Sequence, residues 1–288
     1  MKKISLTTNI ISSYREYLQV MNMETFLAHN QIFTTEEVRA ALGMEKSSST
    51  LDNLLAYHLR QGHIIRIRKG LYYTISKGAE AKTHPIDPYL IASKITADAT
   101  LAYHTSLSFH GKLHSLRTDF IYVTQRKLKP PFIFRNIAFK SISIPKGTLV
   151  SPDFGIEIVD YQGCKIRVTT LERTFVDILD RPALIGNWEE IWRSLESIEY
   201  LNLQQVLAYA KLLNNATTYA RVAFFLDQHR EIFSLSENDL VAFDSFVPKG
   251  AHYLDLHNKE SNQLVARWNL IVPKSLLQRT WEEPHETF

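Results

Sequence analysis

Residues 34–75 read TTEEVRAALGMEKSSSTLDNLLAYHLRQGHIIRIRKGLYYTI, and this stretch decides the fold. A short helix is predicted over 36–42, and a second helix from about residue 48 to residue 61. At residue 64 the hydrophobic period changes from 3.6 to 2, which predicts two strands joined by a turn at 69–70. Two short helices followed by a basic hairpin is the order of a winged helix-turn-helix.

Local signals mark where these helices begin and end. Thr34 precedes Glu37 by three residues, which is a capping-box pattern. Gly43 and Gly62 follow the two helices and predict their ends. Upstream, apolar residues at helical spacing predict one further amphipathic helix over 12–29.

The second helix and the hairpin are both two-sided. Leucines line one side of the helix, and a polar face is predicted opposite, made of Ser49, Thr50, Asn53, Tyr57 and Arg60. In the first strand, alternation predicts that Ile65 and Ile67 face one way and that Arg66 and Arg68 face the other.

The spacing places a helix N-terminus and a basic ribbon on the same side of a small domain, and both attract phosphate. Asn53 matches an adenine edge, and Arg60 a guanine or a phosphate. The predicted DNA contacts are Ser47, Ser48, Ser49, Thr50, Asn53, Tyr57, Arg60, Arg66, Arg68 and Lys69. The alternative is a module that contacts protein, in which the serines only cap the helix.

The remainder of the chain predicts a larger mixed domain. Helices are expected near 89–97 and 101–110, strands over 118–168, and mainly helices from Thr170 onward. We therefore predict an α+β protein with a winged helix-turn-helix at 1–80 and a mixed α/β domain at 81–288.

Bulk properties narrow the class of protein. The chain has 288 residues, 45% of them hydrophobic, and one cysteine, Cys164. An internal disulfide and a cysteine-based zinc site are excluded, and a reducing, cytoplasmic location is expected. A signal peptide is not expected at the start, and no membrane span is expected because the sequence contains no run of about 20 apolar residues.

Charge is unevenly distributed although the net charge is only +3. Residues 112–146 carry eight Lys or Arg against one Asp, whereas 147–288 sum to −7. Such asymmetry is typical of a polyanion partner, or of an ordinary solvated surface. A second nucleic-acid surface is one interpretation of this basic stretch, with Arg126, Lys127, Lys129 and Arg135 as its residues; the other is a strand pair whose lysines face solvent.

Other polar groupings favour structural roles. The histidines at 104, 110 and 114 lack a well-placed third ligand, so no metal is predicted. Arg173 and Asp177, four residues apart, fit a pair on one helix, with Arg173 bridging to the strand at 164–168 if it is buried. Glu157 and Asp160 resemble nuclease carboxylates only faintly, so no catalytic residue is predicted.

Three segments come in the order seen in AbiEi antitoxins of bacterial type IV toxin–antitoxin, or abortive-infection, systems. They read RIRKGLY at 66–72, LAYHTSLSFHG at 101–111 and TLERTFVDILD at 170–180. The resemblance spans about residues 30–180. It implies a winged helix that binds inverted repeats in the operon's own promoter, with Arg66, Arg68 and Lys69 on DNA. It also implies a C-terminal domain that counters a nucleotidyltransferase toxin.

The sequence thus predicts a non-enzymatic antitoxin and transcriptional repressor without a cofactor. It is expected to bind double-stranded DNA as a monomer in solution or as a dimer on DNA, with direct toxin contact left open. Two alternatives are a ligand-responsive winged-helix transcription factor and a nuclease with a DNA-targeting module.

Overall fold

The structure is a computed structural model that describes residues 22–44, 49–257 and 261–279. The chain divides into two compact units, Met1–Ile95 and Thr96–Phe288. The domain boundary predicted at residues 80 and 81 remains a prediction; in the structure, residues 81–95 group with the first unit. The predicted α+β class is confirmed, because both units combine helices with β-sheet.

The first unit is a winged helix. Its described helices and strands are α1 (Met23–His29), β1 (Ile32–Thr34), α2 (Thr35–Ala41), α3 (Ser49–Arg60), β2 (Ile64–Arg68), β3 (Leu71–Thr74) and α4 (Pro88–Lys94). The three strands form one antiparallel sheet in the order β1-β3-β2.

Capping explains where the helices of this unit start. Asn22 caps α1 by accepting a hydrogen bond from the backbone N–H of Thr25 at 2.8 Å. The predicted capping box at α2 is confirmed: Glu37 N–H donates to Thr34 Oγ1, and Thr34 N–H donates to Glu37 Oε2. The helix predicted over 12–29 is thus seen from Met23 onward, and its residues 12–21 lie outside the described ranges.

An apolar cluster holds the helices of the first unit against its sheet. Phe33 of β1 contacts Phe26 edge-on and stacks on Tyr72 of β3. Leu51 and Leu55 bring the buried side of α3 to the same cluster. Burial of such side chains contributes about 1.5–3 kcal/mol each, so the position of α3 is set by packing.

The second unit is built on a six-stranded mixed sheet in the order β6-β7-β5-β4-β9-β8. Its strands are β4 (Thr100–Leu101), β5 (Asp119–Thr124), β6 (Phe132–Phe134), β7 (Ile137–Ser143), β8 (Ile156–Tyr161) and β9 (Cys164–Thr169). Within the range 118–168, where strands were predicted, β8 and β9 form a hairpin joined at Gln162-Gly163. Cys164 begins β9 and is half-buried.

Helices complete the second unit. They are α5 (His104–Phe109), α6 (Leu171–Asp180), α7 (Trp188–Glu196), α8 (Leu203–Leu213), α9 (Ala216–Gln228), α10 (Glu237–Asp244) and α11 (Lys274–Leu277). A small sheet follows α10, with β10 (His252–Tyr253), β11 (Asn262–Val265) and β12 (Leu270–Pro273) in the order β10-β12-β11. Large aromatic side chains such as Trp192, Phe225 and Trp268 fill the core of this unit. None of the helices in the described ranges has the length and apolar character needed to cross a lipid bilayer.

Candidate nucleic-acid interface

Helix α3 presents the polar face that was predicted for it. Leu51, Leu55 and His58 are buried on one side. The side chains exposed on the opposite side are Ser49, Thr50, Asn53, Tyr57 and Arg60, together with Asp52 and Ala56. Tyr57 is 48% exposed, and its ring contacts the His58 ring edge-on. Ser47 and Ser48 lie outside the described residues.

Two of these exposed residues were missed by the sequence reasoning. Asp52 and Ala56 belong to the exposed face by the same 3.6-residue periodicity that selected Asn53. The omission came from considering only cations and hydrogen-bond donors as DNA contacts. A carboxylate and a methyl group also recognise bases.

The hairpin differs from the predicted alternation because β2 contains a β-bulge. Arg66 is paired with Tyr72 and Arg68 with Leu71, so Ile67 is an extra residue on its strand. A bulge of this kind breaks the two-residue period. Ile64 and Ile67 are therefore the buried isoleucines, whereas Ile65 is only half-buried, and the prediction that Ile65 and Ile67 share one face is wrong.

The bulge also separates the cations at the tip of the hairpin. Arg66 and Lys69 are exposed, and Arg68 is half-buried. Gly70 completes the predicted turn with a φ of +81°, a conformation that favours glycine. Its carbonyl accepts a hydrogen bond from Thr35 N–H at 3.0 Å, which ties the turn to the start of α2.

A histidine pair connects α3 to β2. His58 Nδ1 lies 3.1 Å from His63 Nδ1, and His63 N–H donates to the His58 carbonyl at 3.0 Å. His58 is 5% exposed. Burial, and secondarily the neighbouring His63, lowers the pKa of His58 from its ordinary value, while Glu24 of α1 opposes the shift. One of the two facing nitrogens must donate and the other accept, so this contact requires at least one neutral ring.

Helix α2 is fixed from two directions by Glu37. One carboxylate oxygen accepts from Thr34 N–H, and the other forms an ion pair with Lys94 of α4. The same side chain thus caps α2 and attaches α4 to α2. Both contacts help to hold α2 in place beside α3.

The basic stretch that was interpreted as a second nucleic-acid surface is also exposed to solvent. Arg126, Lys127, Lys129 and Arg135 are all exposed, and no Asp or Glu occurs between Asp119 and Asp153 in the sequence. Arg126 Nε lies 3.7 Å from Asp98 Oδ1, and the Arg135 guanidinium lies over the Phe134 ring at 5.5 Å from its centroid. These residues form a continuous cationic segment from the end of β5 through the β6–β7 hairpin.

The carboxylates considered for a nuclease do not form a pair. Glu157 and Asp160 are three residues apart on β8, so alternation places them on opposite faces of the strand. Asp160 Oδ1 accepts a hydrogen bond from Gly163 N–H at 3.1 Å and so closes the β8–β9 turn. Within the described ranges no group of three His, Cys, Asp or Glu side chains is arranged to hold a metal ion.

Arg173 and Asp177 form the predicted pair inside the second unit. The Arg173 Nε to Asp177 Oδ2 distance is 3.4 Å, and both side chains are buried. Tyr209 donates to Asp177 Oδ1 at 2.6 Å. Arg173 donates to the carbonyls of Pro152 and Phe154 ahead of β8, so the predicted bridge to the strand at 164–168 is wrong. This network joins α6, α8 and the loop before β8.

Comparison with known proteins gives a family match within the first unit. Residues 23–75 match a family model described as "Transcriptional regulator, AbiEi antitoxin". This match confirms, for that region, the resemblance found in the sequence. No curated protein matches the chain.

Among the solved structures that match, one is similar over most of the chain. It is the crystal structure of the RV2827C protein from Mycobacterium tuberculosis, with a TM-score of 0.57 and 17% sequence identity. The match covers 90% of this chain and 93% of that chain. At this identity the likeness shows a shared fold.

Proposed function

We propose, from the AbiEi antitoxin regulator module at residues 23–75, that this chain binds double-stranded DNA and represses its own operon. The observation that carries the proposal is the joint exposure of the α3 polar face and the two cations Arg66 and Lys69. A helix that enters the major groove reads bases, while cations on a neighbouring hairpin bind phosphates.

The target is an inverted repeat in the promoter of the operon, and two copies of the chain occupy it. Two-fold DNA sites match paired helix-turn-helix modules. Pairing takes place on DNA, and the free chain is a monomer. The cationic segment from Arg126 to Arg135 supplies a second phosphate-binding surface in the same complex.

The second unit carries the antitoxin activity and counters a nucleotidyltransferase toxin encoded beside it. The family description of the first unit as an antitoxin regulator supports this assignment. The chain itself acts without a cofactor and without catalysis. The opposite placement of Glu157 and Asp160 on β8 argues against the nuclease alternative.

The DNA-binding half is tested by fluorescence anisotropy with a labelled duplex of the operon's promoter and a scrambled duplex of equal length. We expect tight, salt-sensitive binding with a clear preference for the promoter. Equal affinity for both duplexes at every salt concentration would contradict repression at a specific operator.

The antitoxin half is tested by co-expression with the neighbouring gene. Growth arrest by that gene alone and recovery with the full chain are the expected results. Variant Arg66→Ala/Lys69→Ala should still restore growth when expressed from an unrelated promoter, because it alters only the proposed DNA contact. Failure of the wild-type chain to restore growth would contradict the antitoxin role and leave the DNA-binding role standing.

A further inference from the structure

The exposed side of α3 contains a set of four residues at the spacing of a base-reading helix. Ser49, Asp52, Asn53 and Ala56 stand at positions i, i+3, i+4 and i+7, and all four are exposed. Recognition helices of the homeodomain type contact bases through residues at this spacing. The four lie in the N-terminal two-thirds of α3, which is the part that contacts base edges in helix-turn-helix complexes.

Two of the four have unused hydrogen-bonding groups. Neither the Asn53 amide nor the Asp52 carboxylate forms a hydrogen bond or an ion pair with another residue in the described part of the chain. Glu37 on the preceding helix is the opposite case, since it is engaged twice within the protein. As far as the described residues show, the polar groups of Asp52 and Asn53 are therefore open to a ligand.

Asp52 is the informative member because its charge opposes phosphate binding. A carboxylate on a surface that otherwise carries Arg60, Arg66 and Lys69 weakens attraction to a polyanion. Ionised carboxylates only accept hydrogen bonds, and in the major groove the donors are the amino groups of cytosine and adenine. Adenine places its N7 acceptor beside its amino group, whereas cytosine presents the amino group alone.

We infer that Ser49, Asp52, Asn53 and Ala56 are the base-reading side chains of α3, with Asn53 binding an adenine and Asp52 the amino group of a cytosine. This inference rests on the proposed DNA binding and adds the class of sequence that is read. Asn53 matches the N6 and N7 edge of adenine in a bidentate way, and the Ala56 methyl group suits contact with a thymine methyl. Asp52 is then a specificity-determining residue.

The test is selection from a random duplex library with the full chain, followed by the same selection with Asp52→Asn. We expect the wild type to enrich a half-site with one fixed adenine and one fixed cytosine. Asp52→Asn should change the fixed cytosine to adenine, because an amide pairs with adenine where a carboxylate pairs with cytosine. Asn53→Ala should remove the preference at the adenine position, with about a ten-fold loss of affinity for the selected site.

Glu80→Gln is the matched control, since Glu80 is an exposed acid of the same unit outside α3. It removes one negative charge and should leave the selected sequence unchanged. Thermal unfolding of each variant shows that the fold is kept.

Three results would overturn the inference. The first is Asp52→Asn selecting the same sequence as wild type with only tighter binding; Asp52 would then serve the α3 dipole alone. The second is a selected site without a fixed adenine. The third is binding without any enriched sequence, which also contradicts repression at a specific operator but leaves DNA binding standing. Absence of binding to every duplex at low salt is a different outcome, because it contradicts DNA binding itself.

Discussion

The exposed cations of the wing make a quantitative prediction about salt. Arg66 and Lys69 are exposed, whereas Arg68 is half-buried, so the first two are expected to make the phosphate contacts of the hairpin. Each phosphate contact contributes about 0.9 to the slope of log affinity against log salt. Arg66→Ala/Lys69→Ala should therefore flatten the slope by about 1.8.

The same change in slope can be stated as a change in affinity. When salt rises from 50 to 200 mM, a slope difference of about 1.8 means that the affinity of the wild type falls about 12-fold further than that of the variant. Fluorescence anisotropy with the promoter duplex over that range measures it. Lys77→Ala/Lys82→Ala is the matched control, since both lysines are exposed in the first unit but outside the hairpin. An Arg66→Ala/Lys69→Ala slope equal to that of the wild type would refute the reasoning.

Three further outcomes are expected from the structure. Asp177→Asn leaves the buried Arg173 guanidinium without its charge partner and should lower the free energy of unfolding by about 3–5 kcal/mol in urea titrations. The control Glu199→Gln changes an exposed residue and should lower it by at most about 1 kcal/mol. Equal losses in the two variants would contradict burial of the pair. Thr34→Ala removes the cap of α2 and should cost about 1 kcal/mol by the same method, so an unchanged value would argue against the capping box. The pKa of His58 is lowered in the folded chain, so the chain takes up a proton on unfolding, and the stability of the first unit should fall as pH drops through the ordinary histidine range. Thermal unfolding at pH 7.5 and 5.5 measures this fall. A His58→Gln variant with the same pH sensitivity as wild type would contradict the assignment to His58.

Features fixed by neighbouring residues could be predicted from the sequence. The Thr34 capping box, the glycine turn at Gly70 and the polar face of α3 each depend on residues within one or two helical turns. The pair between Arg173 and Asp177 was predictable for the same reason, since four residues span one turn of helix.

Features fixed by distant residues were missed. Strand β1 is three residues long and is a strand only because Ile32–Thr34 pairs with β3, about 40 residues later. The bulge at Ile67 depends on how β2 registers with β3, and the partners of Arg173 at Pro152 and Phe154 depend on the position of the β8 loop. Periodicity within one segment contains none of this information.

The inserted isoleucine in β2 constrains how this hairpin is able to vary in length. Ile67 is buried between Arg66 and Arg68, and its extra place on β2 sets the backbone register of the hairpin tip that carries Arg66 and Lys69. Loss of that single residue would restore regular pairing and turn the following cation toward the opposite face. Insertions and deletions are therefore expected to be rare here and more common in the exposed connection at 76–80.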